Sequence, residues 1–377
     1  MLLYTAVAVI TILLACFVQN KPAATAYGTT RRQALSGACL VTIFVILFTL
    51  SALRIDVGND YKTYVVTCHE AWVNGYVVTE PGFNLLVKVL YTLAGWENYL
   101  LVFAVFAFIT IFLYMKIAYE QSESFALTFF LFMTLGMYFR TFNTVRYYFV
   151  LAVAVYSLRY VANKQYCRFI LLICAMAFFH KSVLVVIPVY LLALYVSRKW
   201  HYIVLGILGI ILFLAKDLVM KIALILYPSY ENTSYINENT DMVSTWIGNV
   251  SGIGRCLLVL ALCLLFYKRA IRGNMANKLY FNLNIFAIML YIFGVYLPLL
   301  SRFTYYLMVP HIILIPNVIA QIENEKTQKR VTGLVIAIGV LYFVLFLKGA
   351  YDAGLRVLPY QSWIFGIKEY LYANEVL

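Results

Sequence analysis

The chain has 377 residues, 64% of them hydrophobic and 12% charged, with a mean hydropathy of +0.86. Soluble domains carry about 25% charged residues, so this composition excludes an ordinary soluble globule and indicates a polytopic membrane protein. The net charge of +13 invites a nucleic-acid reading, which its distribution along the chain argues against.

Apolar windows of spanning length, about 20 residues, fall near 2–18, 36–53, 99–118, 125–138, 147–162, 169–180, 182–197, 202–222, 251–267, 279–298, 304–320 and 331–349. The expected architecture is therefore all-α with about twelve transmembrane helices, in a range of ten to fourteen, in one integral membrane domain over 1–377. The first window lacks the preceding basic residues of a signal peptide and reads as a helix that starts outside. Several windows are short, notably 125–138, 169–180 and 182–197. Short helices at membrane depth are tolerated only against protein or a wet cavity, which points to an internal site.

With the N-terminus outside, the inner connections hold 16 cations, among them Arg31, Arg32, Arg198, Lys199, Lys268, Arg269 and Arg330, against four acids. The remainder holds 13 cations and 12 acids. The whole excess lies on one side, as the positive-inside rule requires, and no nucleic acid is needed to explain it. The outer connections are long and mixed. They include a loop over 54–98 with amphipathic pieces such as Phe83–Leu90, a polar loop over 223–250, and a tail over 350–377. The seven cysteines show no CxxC and no Cys/His metal spacing, and only Cys68 is expected to face outside.

The densest polar stretch follows the second span: Arg54-Ile55-Asp56-Val57-Gly58-Asn59-Asp60-Tyr61-Lys62-Thr63-Tyr64. Charges are expensive inside hydrocarbon, so such a cluster belongs at the membrane edge or in a wet cavity and by default suggests function. Gly58 argues for a turn that lets Asp56 and Asp60 converge on one ligand. Such acids could deprotonate a hydroxyl or hold a divalent cation, though no metal-specific spacing is present. The bland alternative pairs them with Arg54 and Lys62. Glu80, before Pro81, is a further acid, or simply the first-turn acid of a helix.

Later spans end in cations on the same side. Arg140 and Arg146 bracket a short break, His180-Lys181 interrupts a long apolar run, and Arg302 precedes Tyr305 and Tyr306. Arginine's planar fork suits phosphate, so converging helix ends of this kind would form a site for a lipid phosphate or pyrophosphate. Each arginine alone could instead be a snorkelling anchor.

In combination these elements resemble a known family. Arg54-x(3)-Gly58-x-Asp60-Tyr61-x-x-Tyr64, Glu80-Pro81-Gly82-Phe83, Asn143-x-x-Arg146, Phe179-His180-x-Ser182, Arg302 with Tyr305-Tyr306, and Pro359-Tyr360 occur in the order found in the EpsG-like polysaccharide polymerases. That family is similar to the Wzy polymerases of O-antigen, capsule and exopolysaccharide pathways. Tyr147 stands where a glutamine is usual.

The resemblance implies a GT-C-like glycosyltransferase of the bacterial inner membrane with its site facing the periplasm or outside. It would act on oligosaccharide carried by undecaprenyl pyrophosphate, with a chain-length regulator as a partner to be tested. Asp60, Asp56, Arg146, His180 and Glu80 are then the candidate catalytic groups. Arg54, Tyr61, Tyr64, Asn143, Arg140, Lys181, Arg302, Tyr305, Tyr306 and Tyr360 are candidates for substrate binding. No resident cofactor is expected, with a divalent cation left open. A lipid-linked oligosaccharide flippase and an O-antigen ligase are the alternatives.

Overall fold

The computed structural model describes residues 1–20, 30–196, 198–215, 221, 242–294, 300–352 and 354–364, without the side chains of 212–213, 242–248 and 300–302. The elements formed by the described residues are all helical, apart from a single isolated bridge between Arg54 and Ser362. Most of the loop expected over 223–250 and the end of the tail lie outside the described residues.

The chain divides into two compact units. The first comprises Met1–Tyr156, Leu171–Leu184 and Glu323–Leu377. Its helices are α1 (Leu2–Ala15), α2 (Arg31–Ala52), α3 (Tyr61–Trp72), α4 (Pro81–Ala94), α5 (Tyr99–Gln121), α6 (Phe125–Thr134), the one-turn α7 (Met137–Arg140), most of α8 (Val145–Ala162) and part of α9 (Tyr166–Ala177). The second comprises Ser157–Ile170 and Val185–Ile322. It holds the rest of α8 and α9, then α10 (Val186–Tyr195), α11 (Lys199–Leu214), α12 (Met242–Leu265), α13 (Met275–Gly294), α14 (Leu300–Met308) and α15 (His311–Ala320). The last helix, α16 (Glu325–Gly349), returns to the first unit.

The helix starts follow from local chemistry. Thr30 and Gln33 form a reciprocal capping box on α2, and Asn98, Ser124 and Asn324 cap α5, α6 and α16 by accepting from the backbone N–H of the third residue of each helix. Pro81 opens α4, where its missing N–H costs nothing, and Gly95 closes it at φ +78°.

Six segments among the described residues are long and apolar enough to cross a bilayer: Arg31–Ala52, Tyr99–Gln121, Val145–Ala162, Met275–Gly294, Phe303–Ala320 and Glu325–Gly349. Shorter apolar helices fill most of the other expected windows. The protein is thus an all-α, multi-pass membrane protein. Its outward side chains fit that setting, as Val41, Leu258 and Leu341 are each more than half exposed and apolar. Two expected spans are broken. The window 125–138 stops at Gly136, whose φ of +69° turns the chain into α7, and 304–320 is split at Val309-Pro310.

The core of the first unit is aromatic. Tyr4 is fully buried, stacks on Phe139 at 4.4 Å and donates to the Val357 carbonyl at 2.6 Å. Tyr138 donates to the Leu47 carbonyl of α2 at 2.6 Å. Helix α4 turns Phe83, Val87, Leu90 and Tyr91 inward. Its outward face is also apolar, with Leu85 64% and Leu93 77% exposed. The expected amphipathic helix therefore has a greasy rather than a polar outer side.

Cys68 is 1% exposed on the inner face of α3, whereas Cys16, Cys167 and Cys174 are exposed; all seven cysteines are free.

Candidate active site

The site is assembled around the first turn of α4. As the N-cap residue, Glu80 has the extended backbone of that position, yet its carboxylate makes no capping bond. It points instead to three groups. Arg146 Nη1 donates to Oε2, the Lys181 backbone N–H donates to Oε1 at 3.0 Å, and His180 Nδ1 stands 3.5 Å from Oε1. The acid is therefore more than a first-turn dipole partner.

Each of these groups is placed by a local break. Arg146 is the second residue of α8, just after the Thr141–Thr144 turn. His180 ends the turn that closes α9, before the 3-10 segment Lys181–Val185. The 80–82 and 178–181 segments are fastened by the Gly82 N–H, which donates to the Phe178 carbonyl at 2.8 Å. A Cβ at Gly82 would lie 2.7 Å from that oxygen, so only glycine permits the approach.

Arg146 is held at Nε, at Nη1 and over two rings. Nε donates to the Tyr64 hydroxyl at 3.3 Å, and the guanidinium lies 5.1 Å over Phe83 and 5.6 Å over Tyr64. Its side chain is 15% exposed and that of Glu80 is 9%. Burial alone would raise the Glu80 carboxyl, but His180, the Lys181 N–H and Arg146 together outweigh it and hold the group down to about 2. Glu80 is accordingly anionic at neutral pH. His180 packs edge-on against Tyr147 at 5.6 Å.

The Arg54–Tyr64 stretch does form a turn, with Gly58 at φ +102°. It does not bring its two acids onto one point. Asp56 accepts from Arg356 Nη2 at 2.6 Å and lies 3.7 Å from Lys62. The alternative of structural pairing holds for it, with Arg356 in the place expected of Arg54. Asp60 accepts from the Thr144 hydroxyl at 2.6 Å, while its own N–H donates to Asn143 Oδ1 at 2.9 Å. Asp60 thus braces the turn that leads into Arg146, while Asp56 fastens its own turn to Arg356.

Arg54 departs furthest from an open cation. It is 1% exposed, lies between Phe103 and Phe142 at 5.0 and 5.1 Å, and donates to Ser51 and to the Phe142 carbonyl. A pocket of about 10 Å³ beside it, lined by Ser51, Phe106, Thr110, Thr141 and Val145, admits one water at most. A pyrophosphate does not fit there.

Of the remaining candidates, Tyr61 is buried and stacks on Phe103 at 4.7 Å. Arg140 lies over Phe346 at 5.4 Å, and Tyr360 donates to the Leu50 carbonyl at 3.0 Å. The Lys181 side chain is exposed. Tyr305 and Tyr306 belong to the second unit, where the Tyr306 carbonyl accepts from Tyr190 at 2.8 Å. Arg302 is helical there, but its side chain lies outside the described residues. Thr144, Ser51, Phe103 and Phe142 were not singled out by sequence, and nothing in their spacing marks them. No group of three or more His, Cys, Asp or Glu side chains able to hold a metal occurs among the described residues.

A family model described as the EpsG family matches residues 37–362, which include every element of this cluster. No curated protein and no solved structure gives a significant match.

Proposed function

The chain belongs to the EpsG family, and from that premise we propose that it polymerises lipid-linked oligosaccharide by glycosyl transfer at the outer face of the bacterial inner membrane. The observation that carries the reading is the Arg146–Glu80–His180 cluster, a buried cation and an acid–base pair at one point. The one-sided charge of the connections supports the outward orientation.

In the proposed reaction, a hydroxyl of the acceptor repeat unit attacks the anomeric carbon of the growing glycan. The new C–O bond forms as the bond to the undecaprenyl pyrophosphate breaks, and the electron pair leaves with the pyrophosphate. Arg146 neutralises that developing charge. Its Nε and Nη1 are engaged by Tyr64 and Glu80, which leaves Nη2 to reach a phosphate oxygen. A preorganised donor of this kind contributes on the order of 10²–10³ in rate.

The hydroxyl proton passes to a base. His180 is favoured because Glu80 faces its Nδ1, which leaves Nε2 for the substrate and gives the imidazolium a counter-charge. Asp56 and Asp60, the leading acids by sequence, serve better as braces, given their bonds to Arg356 and Thr144. A GT-C-like architecture is part of the same proposal.

The accumulating intermediate tests the reaction class. Gel profiles of surface glycan from a deletion strain should show single repeat units that reach the surface. Units stranded inside would indicate a flippase, and long polymer left on its carrier a ligase; either pattern overturns the reading.

A further inference from the structure

We infer a second anion site, inside the second unit, built on Arg255 and His311. Arg255 lies within the apolar segment Asn249–Leu265 of α12, and an ionisable residue at that depth marks function by default. Its Nη2 donates to the Tyr291 hydroxyl at 3.2 Å and lies 3.0 Å from Met308 Sδ, while Tyr291 itself donates to that sulfur at 2.9 Å. Gly252 admits the Tyr291 ring, since a Cβ there would collide with it.

His311, three residues beyond Met308, is 1% exposed, and neither ring nitrogen has a hydrogen-bond partner among the described residues. Helix α15, which begins at His311, packs against α12, which carries Arg255. An unsatisfied buried polar group costs about 1–3 kcal/mol, so a buried imidazole with both nitrogens open calls for a ligand. A guanidinium fork and an open imidazole on two packed helices, with a phenol on the guanidinium, suit a phosphate or pyrophosphate.

The inference deepens the proposed polymerisation and rests on it for the role of the site. That reaction uses two pyrophosphate-linked substrates at once, and one arginine cluster serves only one of them. The second-unit site would then hold the pyrophosphate of the other substrate.

The full chain in lipid nanodiscs should be titrated calorimetrically with farnesyl pyrophosphate and, separately, with inorganic pyrophosphate. Wild type should take up two equivalents. Arg255→Gln should lose one, and Arg146→Gln the other. Arg255→Lys keeps the charge without the fork and should bind at least tenfold more weakly, which guards against an unfolded glutamine variant.

Two equivalents of unchanged affinity in the Arg255 variants would overturn the inference, as would a single wild-type equivalent that only Arg146→Gln removes. Loss in Arg255→Gln alone would uphold it while removing the basis for Arg146 as a pyrophosphate ligand. If the Arg255-dependent equivalent takes farnesyl pyrophosphate but not the inorganic anion, the ligand is lipid-borne. Equal binding of both supports the site with a free anion as its ligand.

Discussion

Arg146 Nη1 donates to Glu80 Oε2, joining the first turn of α8 to the N-cap of α4 across 66 residues of sequence. The pair is nearly buried, and removing one partner of such a pair typically costs about 3–5 kcal/mol because the other charge is stranded. Glu80→Gln should therefore lower both the thermal midpoint in detergent and the polymer yield. The double variant Glu80→Gln with Arg146→Gln should recover much of the stability and none of the polymer. Recovery of polymer in the double variant would deny Arg146 a chemical role.

The acid limb of stability should carry the signature of Glu80. Its folded value is depressed to about 2 from an ordinary 4.5, so the stabilisation is complete above the ordinary value and is lost as pH falls toward 2. The wild-type thermal midpoint should decline across that window. Glu80→Gln should have a lower but flatter profile there. Parallel profiles for the two proteins would contradict the assignment.

Substitutions at the acid–base candidates should separate chemistry from bracing. His180→Ala should reduce polymer at least about 100-fold, in the range expected for a lost general base, with normal protein in the membrane. Asp60→Asn keeps an acceptor for Thr144 and should retain most of the activity. The reverse ranking, read from surface-glycan gels at matched protein levels, would move the base to Asp60.

Arg54 should behave as a structural residue. Arg54→Ala strips donors from the Ser51 and Phe142 carbonyls and opens space between Phe103 and Phe142. Each orphaned carbonyl costs about 1–3 kcal/mol, so the protein level and thermal midpoint should fall before any change in substrate affinity is visible. A stable Arg54→Ala protein with weakened pyrophosphate binding would return Arg54 to the substrate.

Gly82→Ala should be more damaging than an exposed helix substitution, because the added methyl meets the Phe178 carbonyl. The shift pushes the 178–181 segment away from Glu80, so polymer should fall while α4 itself remains helical by circular dichroism. Unchanged polymer would show that the junction has slack.

The helical, multi-pass architecture was legible from apolar windows because lipid imposes one rule on every span. So were the breaks at Arg146 and His180, where chemistry-bearing residues interrupt apolar runs. Which acid meets Arg146 was not legible. The two partners lie 66 residues apart, and the packing that brings such distant segments together leaves little trace in local sequence. Asp56 was likewise readable as an acid needing a cation, but Lys62 was near in sequence and Arg356 was 300 residues away. Arg54 shows the limit most clearly: a cation that closes an apolar run looks like an anchor or a ligand, and the two phenylalanines that enclose it come from separate later segments.

The clasp between the Leu53–Asn59 turn and the Leu355–Trp363 strap has a consequence for biogenesis. The ribosome releases Asp56 long before Arg356, and at about 5–20 residues per second the interval is on the order of 15–60 s. Throughout that time the turn that supports Asn143 and Arg146 lacks its final fastening, while the entire second unit is being threaded into the bilayer. Membrane proteases and chaperones thus meet a nascent chain with an open clasp, and closure marks a polypeptide translated past Trp363.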